Sequence, residues 1–159
     1  VQGVGAGSGI HKSTDGGRTW RRLTDPALGN GLPAARMGRI GLAVSPQKPR
    51  TVYAMLQVDR GVTSTSAQPF GGVYRSDDAG ATWRHVHDFQ AVPHYYYDDV
   101  WADPSDAEHL WASSMLLMES RDGGRTFAPE SLSNVHVDHH AFWVNPDDPR
   151  HLVLGNDGG

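Results

Sequence analysis

The apolar positions along this chain fall in short runs of four to six residues, separated by turn-forming clusters, and nowhere show the spacing of an amphipathic helix. Three segments follow one template, an apolar strand, a proline turn and a second apolar strand: IGLAVSPQKPRTVYAML (40–56), DVWADPSDAEHLWASS (99–114) and AFWVNPDDPRHLVLGN (141–156). The runs are rich in β-branched and aromatic residues, which suit a pleated, partly buried surface. Their turns centre on Pro46, Pro104 and Pro146 with Asp, Ser or Asn alongside; such residues preset φ or close a turn with their own side chains. After the first two segments comes a third short strand, GGVYRS (71–76) or LLMES (116–120). A fourth follows, such as TWRHVHDF (82–89). The pattern predicts four antiparallel strands, A to D, every 40 to 60 residues, the spacing of β-propeller blades.

Between strands C and D lies an octapeptide that recurs three times: STDGGRTW (13–20), SDDAGATW (76–83) and SRDGGRTF (120–127). Its copies begin 63 and 44 residues apart. The longer interval holds DRGVTSTSAQPFGG (59–72), whose Ser, Thr and Gly content predicts an exposed loop. A tight C-to-D hairpin needs positive φ, which Gly17, Gly80 and Gly124 supply without steric cost. Asp15, Asp78 and Asp122, two residues earlier, are placed to accept hydrogen bonds from the turn's own N–H groups. Trp20, Trp83 and Phe127 then enter strand D and are expected to pack under the hairpin. A catalytic carboxylate is needed once per site, whereas a turn is needed once per blade, so the repeated box reads as structure. It lacks the spaced oxygen ligands of a calcium-binding EF-hand loop.

The repeated S-x-D-x-G-x-T-W box resembles the Asp-box, or bacterial neuraminidase repeat, of the Asp-box β-propeller superfamily. That group includes sialidases, xyloglucan-active glycoside hydrolases, a photosystem II assembly factor and sortilin. The stretches GRIGLAVSP (38–46), GVYRSDDAGATW (72–83) and DHHAFWVNPDDP…GNDGG (138–159) are most similar to the large bacterial sortilin-like proteins often labelled BNR-repeat glycosyl hydrolases. The resemblance covers essentially the whole chain. It implies an all-β propeller of four-stranded blades with the box at the blade periphery. It also implies an extracellular or periplasmic location, although no signal peptide is present in VQGVGAGSGI.

Counted as blades, residues 1–24 supply the end of one, 37–89 a full blade, 95–130 a second, and 138–159 the start of another. A closed ring usually takes four to eight, so the chain is expected to be a propeller fragment whose partners are the remaining blades. Assembly of several copies into a ring is the alternative.

Composition narrows the function. Lys and Arg total 14 against 18 Asp and Glu, a net charge of −4, with no basic run. That excludes a general nucleic-acid binder and a binder of anionic membranes. No apolar run is long enough to span a bilayer. The chain has no cysteine, so disulfides and thiolate metal sites are excluded. No motif calls for a cofactor.

In a propeller, ligands meet the loops near the central channel, and three stretches there carry unusual residues. In VHVDHH (135–140), His136, Asp138 and His140 share a face if the segment is extended. Two imidazoles and a carboxylate so placed suit a divalent cation such as zinc, a proton relay, or a polar cluster lining the channel, with His94 a candidate fourth ligand. HYYYDD (94–99) sets His94, Tyr95 and Tyr97 beside Asp98 and Asp99, a combination that suits sugar stacking or blade-to-blade packing equally. Asp157 follows strand B within NDGG. The resemblance to xyloglucan-active propellers, where a catalytic Asp sits after strand B in a T-D-x-G-G context, makes Asp157 the candidate catalytic residue; NDGG is one residue shorter. A sialidase would need an arginine triad and an R-I-P start, and Arg39 here is followed by Ile and then Gly.

Two functions follow. The first is a sortilin-like binding or scaffold propeller recognising a peptide or protein. The alternative is a xyloglucanase-like glycoside hydrolase, which needs two carboxylates flanking the scissile bond; Asp98, Asp99, Asp138 and Asp157 are the possible members.

Overall fold

A computed structural model of the chain describes residues 3–58, 71–89 and 98–158. The described residues contain no α-helix, only one turn of 3-10 helix at Pro26–Leu28. Two four-stranded antiparallel sheets run in strict chain order. The first is β3 (Met37–Val44), β4 (Val52–Val58), β5 (Gly72–Ser76) and β6 (Arg84–His87). The second is β7 (Val100–Ala102), β8 (Leu110–Ser113), β9 (Leu117–Ser120) and β10 (Ala128–Pro129). Two-stranded sheets flank them: β1 (His11–Lys12) with β2 (Arg21–Arg22), and β11 (His139–Val144) with β12 (Leu152–Asn156).

These sheets are blades because each hydrophobic core lies between two sheets. Strand β4 sits inside its blade and alternates with period two. Tyr53 and Met55 point into a core completed by Val100, Leu110 and Ala112 of the next sheet. Ala54, Leu56 and Val58 point the other way, to Ile10 and Leu23, which flank β1 and β2. A strand buried on both faces must be apolar at successive positions, which is why β4 reads VYAML without interruption. A third core joins Trp111 and Leu117 of the second blade to Phe142 of β11. Trp143 and Val153, paired across β11 and β12, lie on the opposite face and are 49% and 53% exposed.

All three octapeptide boxes close in the same way. Ser13 Oγ donates to Asp15 and accepts from the Gly17 N–H at 2.8 Å. Asp15 accepts from the Thr19 N–H at 2.9 Å and from its hydroxyl at 2.7 Å. Asp78 holds Thr82 at 2.8 and 2.6 Å, and Asp122 holds Thr126 at 2.9 and 2.7 Å. Two successive residues take positive φ in each box, Gly16–Gly17, Ala79–Gly80 and Gly123–Gly124. The bonds from Thr19 and Ser13 bring the Asp15 carboxyl down to about 2. Burial pushes Asp122 up, but its bonds from Thr126, Ser120 and the turn N–H outweigh this and leave it at about 2. Asp78 is lowered further by Thr82. Trp83 packs as expected, buried with its indole N–H on the Gly80 carbonyl at 3.1 Å. Phe127 stacks on Phe89 at 5.3 Å. Trp20 makes the same N–H bond, to Gly17, yet stays 63% exposed, since among the described residues no segment covers it as Leu32 and Leu23 cover Trp83.

Candidate functional site

The site is built where β11 enters its sheet and β12 leaves it. Residues 136–138 are not strand. Asp138 takes φ 76°, and its N–H is tied to the Met115 carbonyl of the preceding blade at 2.9 Å. Next comes a bulge: His139 pairs with Asn156 and Ala141 with Gly155, leaving His140 as the extra residue. A bulge re-aims the side chains around it. Here it brings His140 Nε2 to 3.3 Å from Asp138 Oδ1 and 3.9 Å from Asp157 Oδ2. Asp157 stands on the turn after β12, where Asn156 Oδ1 accepts the Gly158 N–H at 3.1 Å.

The shared face expected of an extended 136–140 segment is therefore not how these side chains meet. Asp138 and His140 do converge, but through a left-handed residue and a bulge. His136 turns away: its Nδ1 contacts the Val137 carbonyl at 2.6 Å, and its ring lies over Gly158, where an added Cβ would overlap it. The place that alternation would have given His136 is filled by Asp157. Ligand atoms of Asp138, His140 and Asp157 all lie within 4.8 Å of one another.

His139 is 2% exposed, and its Nδ1 has no hydrogen-bond partner. Burial lowers its pKa from the ordinary imidazole value, against the opposing pull of Asp138.

One blade earlier, Asp98 is fully buried at φ 75°. Gly41 packs so tightly on it that a Cβ there would overlap the Asp98 carbonyl oxygen. Asp99 takes the Ser113 hydroxyl as acceptor for its N–H at 2.9 Å, and its carboxylate pairs with Arg39 of the preceding blade at 2.7 Å. Asp99 thus bridges two blades and stands apart from the Asp138 group. His94, Tyr95 and Tyr97 lie outside the described residues.

Two polar clusters escape the sequence patterns. His109 is held by Asp103 at Nδ1, 2.7 Å, and by Glu119 at Nε2, 2.8 Å, within the second blade. Arg75 reaches across the blade interface to Glu108 with two bonds of 2.5 and 2.6 Å. The first follows from the ladder register, in which Trp111 pairs with Glu119 and sets His109 near that carboxylate, whereas the second depends on how the two blades face each other.

No family model matches the chain. Xyloglucanase Xgh74A of Acetivibrio thermocellus is 32% identical over 90 residues, 56% of this chain and 9% of that protein. Among solved structures, the GH74 enzyme of Niastella koreensis superposes with a TM-score of 0.50 at 15% identity, over 73% of this chain and 19% of its own. The GH74 xyloglucanase of Xanthomonas campestris aligns over 79% of this chain and 24% of its own at 18% identity, with a TM-score of 0.38. The chain thus spans less than a tenth of the curated relative it matches. Together with the blade-by-blade topology, the Niastella likeness establishes the fold as a segment of a β-propeller.

Proposed function

We propose that this chain is part of a propeller glycoside hydrolase acting on xyloglucan or a related β-glucan, with Asp157 as a catalytic carboxylate. The observation that carries the proposal is the 32% identity over 90 residues to a protein named as a xyloglucanase. It favours the hydrolase alternative over the sortilin-like scaffold. The sortilin-like and Asp-box affiliations rest on the boxes themselves.

Hydrolysis adds water across the bond between the anomeric carbon and the glycosidic oxygen. One carboxylic acid protonates the leaving oxygen, and a carboxylate takes the proton from the attacking water or attacks directly. Asp157 is the most open member of its cluster, 64% exposed at the side chain, on a turn that a polymer can reach. Asp138 lies within 4.8 Å of it, short of the roughly 6.5–9.5 Å that an inverting pair needs to admit water. In an inverting reaction the partner of Asp157 is therefore another carboxylate, Asp99 or one on further blades. The exposed Trp143–Val153 face is the kind of surface that a further blade covers in a closed propeller. A polymeric substrate does not enter the cytoplasm, so this activity fits a periplasmic or extracellular protein. The remaining blades and a carbohydrate are then its partners.

The test is reducing-sugar release by the full-length protein on xyloglucan and other β-glucans. Release by the native protein that falls at least about a thousandfold in Asp157→Asn, with unchanged thermal stability, supports the reading. Release that survives Asp157→Asn removes Asp157 from the chemistry. No release from any glycan removes the hydrolase reading and returns the search to peptide ligands.

A further inference from the structure

We infer that Asp157–Gly158 is a self-modification site, where the folded chain cyclises to a succinimide and reopens as isoaspartate. The inference goes beyond the hydrolase reading and does not rest on it.

An Asp-Gly step occurs three times in the chain, at Asp15–Gly16, Asp122–Gly123 and Asp157–Gly158. Glycine has no Cβ to obstruct the approach of its nitrogen to the preceding carboxyl. The local sequence therefore offers the same chemistry at all three. The glycine backbone nitrogen attacks the aspartyl Cγ. The N–Cγ bond forms, the bond from Cγ to the carboxyl hydroxyl breaks, and that hydroxyl leaves with the amide proton as water. Water then reopens the five-membered ring. Addition at Cγ restores aspartate. Addition at the former main-chain carbonyl carbon breaks its bond to the glycine nitrogen and leaves isoaspartate, whose peptide bond runs through Cγ. Water is the only co-reactant.

The fold separates the three sites. Cyclisation needs a carboxyl that can swing onto the next nitrogen, and the two box carboxyls are caged. Asp122 accepts from the Ser120 hydroxyl at 2.9 Å, from the Arg125 and Thr126 N–H groups at 2.9 Å each, and from the Thr126 hydroxyl at 2.7 Å. Its neighbour's nitrogen is committed too: the Gly123 N–H donates to the Glu108 carbonyl at 2.8 Å, and an added Cβ on Gly123 would overlap Arg75 and Glu108. Asp15 is held by the Ser13 hydroxyl and by both donors of Thr19. A caged carboxyl reacts only after the box has opened locally.

Asp157 stands on a different kind of turn. Its side chain is 64% exposed, and His140 Nε2 lies 3.9 Å from its carboxylate, beyond hydrogen-bond distance. The Gly158 N–H donates to Asn156 Oδ1 at 3.1 Å, an exposed bond inside the same turn, which a local opening releases. The product has consequences for the site. Isoaspartate carries its free carboxylate directly on Cα and lengthens the main chain by one carbon. At position 157 this withdraws a carboxylate from the group it forms with Asp138 and His140.

The experiment incubates the full-length protein for several weeks in mildly acidic buffer at physiological temperature, beside the same protein held unfolded in guanidinium. Isoaspartate is located by electron-transfer fragmentation of the proteolytic peptides. The unfolded chain should isomerise at comparable rates at 15, 122 and 157. The folded protein should show at least about tenfold more isoaspartate at 157 than at 15 or 122, preceded by a peptide lighter by one water. Thr126→Val, which removes the hydroxyl bond to Asp122, should raise isoaspartate at 122; the native comparison needs no variant and stands if Thr126→Val fails to fold. No isoaspartate at 157 in the folded protein, equal amounts at the three sites, or an excess at 157 already present in the unfolded chain overturns the inference. The readout is a mass spectrum, so failure here leaves the hydrolase reading standing, and absence of glycan hydrolysis leaves this inference standing.

Discussion

The clamp between Arg75 and Glu108 offers a quantitative test of how one blade is locked to the next. Arg75 lies on β5 and is only 8% exposed at the side chain, while Glu108 belongs to the following blade and is 36% exposed. Arg75 gives two bonds to Glu108, one from Nε to Asp77 at 2.8 Å, and one to the Tyr53 hydroxyl at 3.1 Å. Tyr53 passes the link on by donating to the Ala107 carbonyl at 2.6 Å. The two partners differ in what each leaves behind. Glu108→Ala strands a buried guanidinium that keeps only Asp77 and Tyr53. Arg75→Met leaves a carboxylate that water already reaches. Removing one partner of a fully buried pair costs about 3–5 kcal/mol. Discounted for the exposure of Glu108 and for the surviving Asp77, Glu108→Ala is expected to cost about 2–3 kcal/mol and Arg75→Met about 1–2 kcal/mol. The double variant should cost little more than Arg75→Met, a coupling of about 2–3 kcal/mol, close to the whole cost of Glu108→Ala. Urea denaturation of the full-length protein and its three variants measures this cycle. The pairing with Arg75 also holds the Glu108 carboxyl below its usual value. Its contribution is thus present above the unfolded pKa and lost as pH falls through the lower folded one. Additive single costs, or Arg75→Met as the worse variant, would refute the argument.

Gly158→Ala should disorder the turn that carries Asp157, because its Cβ overlaps the His136 ring; restoring the turn with His136→Ala in the double variant, read by melting temperature, checks the cause. Gly41→Ala should push β3 away from the Asp98 carbonyl and cost about 1–3 kcal/mol in urea denaturation, an overpacking effect. The box carboxylates of Asp15 and Asp122 fall to about 2 in the folded chain. Their stabilisation is fully present above about pH 4 and lost as pH falls towards 2, so Asp122→Asn should flatten the acid limb of a stability–pH profile.

Much of the blade architecture was legible in the sequence, because the same demands recur. Every blade must turn after strand A, and Pro46, Pro104 and Pro146 mark those turns. Every box must close a hairpin, and Ser, Asp, Gly and Thr at fixed spacing do so with their own side chains. Continuous apolar runs such as VYAML announce burial on both faces. Illegible were the contacts that depend on how two blades face each other. Arg75 and Glu108 are 33 residues apart and Arg39 and Asp99 are 60 apart, so nothing local in the chain marks either as a pair.

The site was half legible for a reason that lies in the backbone. Composition marks VHVDHH, and period-two alternation predicts that His136, Asp138 and His140 meet. Alternation holds only for regular strand, and this segment departs from it twice, at Asp138 with φ 76° and at the His139–Ala141 bulge. Asp98, one blade earlier, has almost the same φ at the entry to β7, yet it is buried beneath a glycine. The same local conformation therefore serves packing in one blade and gathers Asp138, His140 and Asp157 in the next. What separates them is the accompanying bulge, which adds one residue and turns an imidazole towards two carboxylates. In a repeat protein the residues that recur with the period build the scaffold. A departure from the regular ladder is where side chains are free to be arranged for chemistry, and Asp138, His140 and Asp157 meet at one.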